Sequence, residues 1–384
     1  MRFKSKRSIL AGALVFLFCI FGFIQPSVKA ESKEILIGLV GPMSGRGADY
    51  GRMQKMGAEL ATEVINAKGG VRGYKFGFVA GDDKMDPKEA ANVAKKFSVN
   101  DKIIAVTGSI NSPVAFAAGP IYNRSKLTYL VCWASHPEIP KIGKYVFQSD
   151  LTQDQEAPSA ALYAINTLRA KRVAFIHIND AWGNSVRDRF PQAVEKLEGE
   201  MVAVEAYTPG EIDFRSLLIK IMDKKPDCLY LAFLAPAAGQ IVRQAKDLGI
   251  TFPIFMSSAA QTMDYIKLGG PATEGTVSMS GFSENDPDPV VQAFVKQFKA
   301  KFKNETPTGF SAYVYDAFTL IAEAVKNTKE DVTRESVRDA LASLKDVRVL
   351  VGTISPNETG FFGPRKVVAV KVKDKAFVYA GEIK

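Results

Sequence analysis

The feature that most constrains the fold of this chain is the alternation of short β-rich runs with longer segments of helical periodicity. The first strand is expected at 35–40 and the first helix at 51–68, where apolar residues fall on one face and a Gly-Gly pair ends the helix. Strands and helices then alternate as far as residue 132. This βαβ order is typical of a parallel sheet covered by helices. The sequence therefore predicts an α/β fold.

The same alternation starts again after residue 150 and predicts a second α/β lobe. It runs from a helix at 153–168 to a strand at 275–279. Three consecutive helices follow between residues 289 and 344, and because they cannot form a core alone, we expect them to pack on the first lobe. Strands at 366–372 and 376–381 close the chain. The predicted architecture is two Rossmann-like lobes with parallel central sheets.

The return of the chain to the first lobe makes both predicted lobes discontinuous. Their expected boundaries are 31–150 plus 284–354 for lobe I, and 151–283 plus 355–384 for lobe II. The chain then crosses between the lobes three times, near 149–152, 281–285 and 355–363. Three crossings at one side of two lobes predict a hinge.

Residues 1–30 have the pattern of a secretory signal peptide: a basic start, an apolar run and small residues before Ala30. A transmembrane anchor is the rival interpretation, but glycine, glutamine and proline interrupt the run. Bulky Phe18 before Cys19 argues against lipid attachment at that cysteine. We therefore expect cleavage after Ala30 and export from the cytoplasm.

The composition of the mature chain narrows the possible partners and the redox chemistry. The signal peptide carries five Lys and Arg residues and no acidic residue, so its removal lowers the formal net charge from +9 to +4. A weakly basic protein of this size gives little reason to expect a nucleic-acid partner. Cys132 and Cys228 remain, each within an apolar run. We expect both to be buried and free rather than joined in a disulfide.

The motifs of common enzymes and cofactor sites are missing. Segment 41–47 (Gly-Pro-Met-Ser-Gly-Arg-Gly) follows the first strand, but its glycine spacing does not suit a dinucleotide and Pro42 removes a backbone donor. The two histidines, His136 and His177, have no cysteine or carboxylate partners at zinc-binding spacing. Nucleophile-elbow and phosphate-loop patterns are absent as well. The sequence predicts a protein that is not an enzyme and uses neither a metal nor a cofactor.

The first candidate binding segment is 108–113 (Gly-Ser-Ile-Asn-Ser-Pro), between a strand and a helix. Ser112 is expected to cap the helix that starts at Pro113. Asn111 and Ser112 would then lie where free backbone N–H groups and a hydroxyl can hold a carboxylate.

The second and third candidate segments also follow strands. In 131–138 the hydroxyl of Ser135 and the backbone around Trp133 and Ala134 are expected to point into the same crevice, because ligands of open α/β sheets lie beyond the carboxyl ends of the strands. Trp182, after a strand of the second lobe, serves either as a packing residue or as a wall over the ligand, and we favour the wall.

Several segments together resemble the periplasmic leucine/isoleucine/valine-binding proteins. The matching segments run in the family's order along essentially the whole mature chain: 39–45 (Leu-Val-Gly-Pro-Met-Ser-Gly), 50–51 (Tyr-Gly), 65–73, 82–88 and 239–245. The resemblance implies the type I periplasmic binding fold, with two lobes, three hinge crossings and the membrane permease of an ABC transporter as partner.

The resemblance also implies roles for individual residues. Members that bind amino acids hold the ligand carboxylate with hydroxyls at the places of Ser112 and Ser135, helped by backbone at Trp133, and flank the ligand with aromatic rings at the places of Tyr50 and Trp182. The family's first-lobe disulfide is not conserved in this chain, since its positions hold Met85 and Asn111.

One departure from the family pattern concerns the ligand amine. The acidic residue that pairs with the ammonium in amino-acid binders corresponds to Ala237 here, and a buried ammonium without a partner is costly. Asp180 could supply the charge from another direction. We predict a ligand that has a carboxylate but no α-amine, with an aromatic or branched body against Tyr50, Trp133, Trp182 and Phe282.

The sequence thus predicts a periplasmic, monomeric solute-binding component of an ABC importer of the branched-chain amino-acid type. Two alternatives remain open at this point: a protein that binds leucine-like amino acids, and a ligand sensor that docks on a membrane receptor. An enzyme on the same scaffold ranks behind both.

Overall fold

Two large β-sheets organise residues 33–383, the part of the chain that the computed structural model describes. One sheet has five strands and the other seven, and a three-stranded sheet accompanies them. The predicted signal peptide at 1–30 lies outside the described residues and stays a prediction. No helix within 33–383 combines the length and the apolar character needed to cross a bilayer.

The first lobe follows the predicted alternation. Its elements are β1 (Lys33–Gly41), α1 (Ala48–Ala67), β2 (Tyr74–Asp82), α2 (Pro87–Ser98), β3 (Ile103–Gly108), α3 (Ser112–Arg124), β4 (Thr128–Val131) and β5 (Val146–Gln148). The strand order is β2-β1-β3-β4-β5, and the pairs β1/β3, β3/β4 and β4/β5 are parallel. Every residue of β3, β4 and β5 is buried, as expected for strands covered on both faces. The sequence did not predict the three-residue β5.

Two helices of this lobe begin with a capping side chain, and one of these caps is not the predicted residue. Asp86 caps α2, where its carboxylate accepts from the backbone N–H groups of Lys88 and Glu89. The predicted cap of α3 was wrong: Asn111 is the N-cap, and its side chain accepts from Val114 N at 3.3 Å. Ser112 is already helical, so its hydroxyl is free for another contact.

The second lobe contains the next set of alternating elements. These are α4 (Gln153–Leu162), β6 (Arg172–Ile178), α5 (Ala181–Arg187), α6 (Phe190–Lys196), β7 (Glu200–Tyr207), α7 (Arg215–Asp223), β8 (Cys228–Ala232), α8 (Ala235–Asp247), β9 (Ile254–Met256), α9 (Met263–Gly269) and β10 (Val277–Ser280). The pairs β6/β7, β6/β8, β8/β9 and β9/β10 are parallel.

Two predicted helices of this lobe differ from the structure. The apolar periodicity of residues 185–197 predicts one helix, but the structure has two, α5 and α6, because Pro191 lacks an N–H and clashes with the carbonyl four residues earlier. The helix predicted at 153–168 ends as α-helix at Leu162 and continues as a π-helical turn from Tyr163 to Thr167.

The chain then returns to the first lobe before it ends in the second. The remaining elements are α10 (Pro289–Lys301), α11 (Gly309–Lys326), α12 (Arg334–Ala342), β11 (Val347–Val349), β12 (Gly352–Pro356), β13 (Phe362–Gly363), β14 (Val368–Lys373) and β15 (Ala376–Glu382). As predicted, α11 packs on α1 and α12 on β3 and β4. Strands β14 and β15 join the second sheet in the order β15-β14-β10-β9-β8-β6-β7. The small sheet β11-β12-β13 was not predicted.

One close approach fixes the packing of α11 on α1. A Cβ added to Gly57 would lie 2.2 Å from the backbone oxygen of Ser311. Only glycine lets these two helices approach so closely. Helix α11 is therefore bound tightly to the first lobe. The predicted α/β architecture is confirmed: the central strands of both sheets are parallel, and β14 and β15 add an antiparallel edge to the second sheet.

Cys132 and Cys228, the two cysteines outside the predicted signal peptide, are buried and free, as expected. Burial raises the pKa of the Cys132 thiol to about 12 and that of the Cys228 thiol to about 12. Both side chains are therefore protonated at neutral pH and behave as small apolar residues.

The buried carboxyl of Asp83 is expected to make the stability of the protein depend on pH. The residue is 1% exposed, its Oδ1 accepts from Met85 N at 2.9 Å, and burial raises the pKa of its carboxyl to about 7. Because the folded state keeps a proton that the unfolded state has lost, the free energy of unfolding falls by about 1.4 kcal/mol per pH unit as the pH rises from about 4 to about 7.

We therefore expect Asp83→Asn to make the fall in the free energy of unfolding between pH 5 and pH 7 shallower by about 1.4 kcal/mol per pH unit in urea experiments, while other buried carboxyls keep their share. Asp101→Asn, at an exposed position, is the control and should leave the slope unchanged. Equal slopes in Asp83→Asn and the wild type would show that Asp83 is ionised throughout.

Candidate functional site

The carboxyl ends of strands from both sheets enclose a cavity between the lobes. Its lining residues share one property, since all but one follow a strand: Ile110 and Asn111 after β3, Trp133 and Ser135 after β4, Asp180 and Trp182 after β6, Leu234 after β8, Ser258 and Ala259 after β9, and Phe310 from α11. This is where ligands of open α/β sheets bind. The cavity has a volume of about 20 Å³, which is room for one water molecule.

The structure brings four of the predicted site residues together in this lining: Asn111, Trp133, Ser135 and Trp182. Ser135, which follows a strand of the first lobe, is the centre of their polar contacts. Its Oγ accepts from Trp182 Nε1 at 2.9 Å and from Gln153 Nε2 at 3.0 Å. The bond from Trp182 joins the two lobes directly.

Three other predicted residues support the lining. Ser112 Oγ accepts from the backbone N–H of His136 at 3.3 Å, and the carbonyl of Ala134 accepts from Gln148 Nε2 at 2.8 Å. Tyr50 spans the lobes, because its hydroxyl donates to the carbonyl of Ala259 at 2.9 Å and accepts from Ala235 N at 2.8 Å. These contacts fix the loops that carry the lining residues.

The last two predicted residues lie outside the lining. Ala237 is in the first turn of α8 and packs against the core. Phe282 lines a separate cavity of about 290 Å³ together with Met53, Gln261 and Phe377. The two cavities are neighbours, since a Cβ added to Gly309, which lines the larger one, would lie 3.1 Å from the Trp133 ring.

Trp133 forms an aromatic wall of the smaller cavity. Its ring stacks on Phe310 with centroids 3.7 Å apart and an interplanar angle of 17°, and on Tyr313 with centroids 4.9 Å apart. The indole Nε1 is buried and has no acceptor among the described residues. A buried donor without an acceptor is costly, so this N–H favours a ligand with an acceptor group.

Asp180 is the carboxylate of the lining. It is the N-cap of α5, where its Oδ1 accepts from Gly183 N at 2.8 Å. Burial raises the pKa of this carboxyl, against the effect of the backbone donors Gly183 and Trp182. The side chain thus has a local structural role, and it is also placed where it could meet a ligand amine.

Sequence reasoning missed two polar residues behind the lining, Gln153 and Glu156 in the first turn of α4. Gln153 donates from Nε2 to Ser135 Oγ and, at 2.8 Å, to Glu156 Oε2. Glu156 Oε1 in turn accepts from Ser258 N at 2.6 Å. Helix α4 begins with the polar run Gln-Asp-Gln-Glu immediately after a predicted crossing, and nothing in this run distinguishes Glu156 from its neighbours. Its partners are distant in sequence, so only the fold reveals them.

A buried ionic cluster lies beside the predicted crossings. Arg365 donates to the carbonyl of Ser149, its Nη1 lies 3.8 Å from Asp316 Oδ2, and its guanidinium carbon lies 4.8 Å from the centroid of the Tyr313 ring. Burial raises the pKa of the Asp316 carboxyl to about 6 and that of Asp150 well above its usual range, and Arg365 opposes both shifts. Tyr313 links this cluster to Trp133 in the cavity wall.

The histidines are engaged in local contacts. His136 Nδ1 accepts from Glu138 N at 3.1 Å, and His177 Nδ1 lies 2.9 Å from the carbonyl of Ile178. Burial lowers the pKa of both imidazoles. Within residues 33–383, His, Cys, Asp and Glu side chains form no group of three that could hold a metal ion.

Comparison with known proteins identifies this arrangement. Residues 34–376 match the family model described as periplasmic binding protein. The chain belongs to the periplasmic binding protein family. The leucine-specific-binding protein of Salmonella typhimurium is 30% identical to this binding protein over 360 residues, which cover 93% of this chain and 94% of that protein.

Solved structures show the same fold. The branched-chain amino acid transporter substrate binding protein LivJ from Streptococcus pneumoniae, in complex with isoleucine, has a TM-score of 0.84 and 26% identity over 91% of this chain and all of that one. A solute-binding protein from R. palustris, in complex with benzoate, has a TM-score of 0.81 and 23% identity over 91% of this chain and 96% of that one, and this likeness shows the fold alone.

These findings confirm three predictions from the sequence. The family is the one that segments 39–45 and 82–88 indicated, the fold is the type I periplasmic binding fold, and the chain is a solute-binding protein rather than an enzyme. It is a periplasmic binding protein of the branched-chain amino-acid ABC transport type.

Proposed function

We propose that this periplasmic binding protein is the solute-receiving component of an ABC importer and binds a small carboxylic acid that has no α-amine. In this proposal the chain is exported by cleavage after Ala30, acts as a monomer and presents its ligand to a membrane permease. An aromatic or branched aliphatic acid fits the site best.

The observation that carries the proposal is a pair of donors in the cavity wall that lack acceptors. Ser135 Oγ already accepts two N–H groups, from Gln153 and Trp182, and none of residues 33–383 accepts its hydroxyl proton. Trp133 Nε1 has no acceptor either. The two oxygens of a carboxylate can accept from both donors, and hydrogen bonds to a charged acceptor are stronger than neutral ones.

The rest of the lining suits an apolar body. Trp133 and Phe310 form a stacked aromatic surface, and Ile110 and Leu234 add aliphatic contacts. Ala237, which by resemblance corresponds to the acidic residue of amino-acid binders, lies outside the lining and adds no charge near it. A benzoate-like ring or a branched chain therefore gains apolar contacts without leaving an ammonium unpaired.

The proposed mechanism is hinge closure. Lobe I (31–150 plus 284–354) holds the carboxylate through Ser135, and lobe II (151–283 plus 355–384) brings Trp182 over it. Because the enclosed cavity has room for about one water molecule, the ligand enters only when the lobes separate. The inter-lobe hydrogen bonds that opening breaks include that of Trp182 to Ser135 and those of Tyr50 to Ala235 and Ala259. Gln153, next to the first crossing, also donates to Ser135 across the lobes.

Native mass spectrometry of the protein purified from its own host tests the proposal. The expected result is a bound species whose mass, after release and fragmentation, identifies a carboxylic acid without nitrogen. A bound amino acid would sink the proposed ligand class but would leave the transport role intact.

One observation favours a second candidate, an amino-acid ligand. Asp180 lines the cavity with a carboxylate, and the relatives include a leucine-specific binder. If Asp180 holds an ammonium, Asp180→Asn should weaken leucine binding by about 100-fold or more, because the buried cation loses its counter-charge.

Under the favoured proposal, the same variant has little effect on a carboxylic acid, since asparagine is also a good N-cap and keeps the acceptor for Gly183 N. Calorimetric titration of both variants with L-leucine and benzoate distinguishes the two candidates. Asp188→Asn, at an exposed position outside the cavity lining, is the matched control.

A further inference from the structure

A buried carboxylate lies one residue behind the hydroxyl that faces the cavity. Glu156 is 1% exposed, and both of its oxygens accept hydrogen bonds: Oε1 from Ser258 N at 2.6 Å and Oε2 from Gln153 Nε2 at 2.8 Å. It belongs to α4 of the second lobe, yet through Gln153 it reaches Ser135 of the first lobe. Glu156 thus connects two loops that form opposite walls of the site.

The chemistry of the four side chains Glu156, Gln153, Ser135 and Trp182 fixes the direction of each hydrogen bond that joins them. Burial raises the pKa of the Glu156 carboxyl, and the hydrogen bonds from Ser258 N and Gln153 Nε2 oppose that shift by favouring the ionised form. A carboxylate only accepts, so the Gln153 amide directs its NH₂ group, and not its oxygen, toward Glu156. The second proton of that NH₂ group is then donated to Ser135 Oγ. Trp182 Nε1 can also only donate, and it occupies the other lone pair of the same oxygen.

These two hydrogen bonds determine what the hydroxyl proton of Ser135 can do. With both lone pairs of Oγ in use, the hydroxyl can act toward the cavity only as a donor. Gln153 Oε1 would accept this proton after a flip of the amide, but a flip would place that oxygen against the Glu156 carboxylate, so it is held away from Ser135. That Oε1 is buried and has no partner among the described residues.

We propose that Glu156 is a specificity-determining residue: through Gln153 it orients the Ser135 hydroxyl as a donor and so selects a ligand that presents an anionic acceptor. Glu156 acts as a positioning residue and does not touch the ligand. The inference deepens the proposed function and rests on its placement of the ligand carboxylate at Ser135, but it holds for any carboxylate ligand, with or without an amine.

We call the hydrogen-bonded series from Glu156 through Gln153 to Ser135 the relay. Glu156→Gln tests it, because glutamine keeps the shape of the side chain but no longer forces the Gln153 amide into one orientation. The new amide can still accept from Ser258 N through its oxygen, while its NH₂ group faces Gln153 and lets that amide flip. Ser135 then donates its proton to Gln153 Oε1 and no longer to the ligand. We expect affinity for a carboxylate to fall by about 10- to 100-fold, the value of a hydrogen bond to a charged acceptor.

A double-mutant cycle with Ser135→Ala separates this role from a purely structural one. If Glu156 acts through the Ser135 hydroxyl, Glu156→Gln should change affinity by less than about twofold in the Ser135→Ala background, because no hydroxyl is left for Gln153 to orient. An equal loss in both backgrounds would overturn the proposal. Gln153→Met leaves no acceptor for the Ser135 proton but frees one lone pair of its Oγ, so the hydroxyl is no longer held as a donor toward the cavity. The smaller loss expected, about threefold to tenfold, should likewise vanish in the Ser135→Ala background, so the test survives if Glu156→Gln folds poorly.

The probes are benzoate, 3-methylbutanoate and L-leucine, each measured by calorimetry with the wild type and all variants. Asp154→Asn is the matched control, because Asp154 lies on the same helix but is exposed and paired with Arg189 at 2.6 Å. Binding of leucine alone would refute the amine-free ligand class while leaving the relay to be tested with leucine. Failure of all three carboxylates to bind would overturn the relay itself.

Discussion

Replacing Trp182 with alanine is expected to weaken carboxylate binding by about 100-fold or more. The side chain is 6% exposed, lines the cavity and donates to Ser135 across the lobe interface. Its removal deletes both a wall of the site and an inter-lobe contact, and large aromatic residues in such desolvated positions dominate binding energies. Calorimetric titration measures the loss, and thermal unfolding shows whether the variant remains folded.

Trp182→Phe is the matched control for this prediction. Phenylalanine keeps an aromatic wall but has no N–H for Ser135, so it should retain affinity within about tenfold of the wild type, as expected for the loss of one hydrogen bond. If Trp182→Ala binds as tightly as the wild type, the indole is a packing residue and the proposed closure over the ligand is wrong.

Replacing Arg365 with methionine is expected to lower the free energy of unfolding by about 3 to 5 kcal/mol at pH 8. The guanidinium is the positive charge beside two buried carboxyl groups, Asp316 at 3.8 Å and Asp150, and it also donates to the carbonyl of Ser149. Without it, those carboxylates are buried and uncompensated. Urea unfolding measures the change.

The pH dependence gives this prediction a distinctive sign. Burial already raises the pKa of Asp316 to about 6, and Arg365 opposes that shift. Removal of Arg365 raises the folded-state pKa further, so the folded protein binds more protons than the unfolded chain, and stability falls as pH rises. The defect should therefore be smaller at pH 5 than at pH 8.

Arg365→Lys, which keeps the charge but not the guanidinium geometry, should be less destabilising than Arg365→Met. Adding Asp316→Asn to Arg365→Met should restore part of the stability. Wild-type stability of Arg365→Met at pH 8 would contradict the assigned role of the cluster.

Much of the fold follows from local sequence signals, and the predictions that were wrong also have local causes. Strands such as β3 and β8 are continuous apolar runs, and Asp86 with Pro87 marks the start of α2. The division of α5 from α6 depends on Pro191, whose effect the apolar periodicity concealed. The cap of α3 shifted to Asn111 because asparagine one residue earlier competes successfully with Ser112.

The sequence predicts the site residues that directly follow strands. It does not predict those whose contacts depend on residues distant in the sequence. Trp133, Ser135 and Trp182 follow strands, so the position of ligands at the carboxyl ends of strands identifies them. Glu156 and Gln153 acquire their partners only when α4 meets loops from both lobes, more than a hundred residues away for Ser258. Sequence periodicity contains no information on such pairs.

Calorimetric titration of residues 31–384 with benzoate, 3-methylbutanoate and L-leucine tests the central claim most directly. The donors at Ser135 and Trp133, with no carboxylate at Ala237, predict that at least one of the two acids binds about 100-fold more tightly than leucine, because leucine must bury its ammonium unpaired or rely on Asp180. Tighter binding of leucine than of both acids would contradict the account.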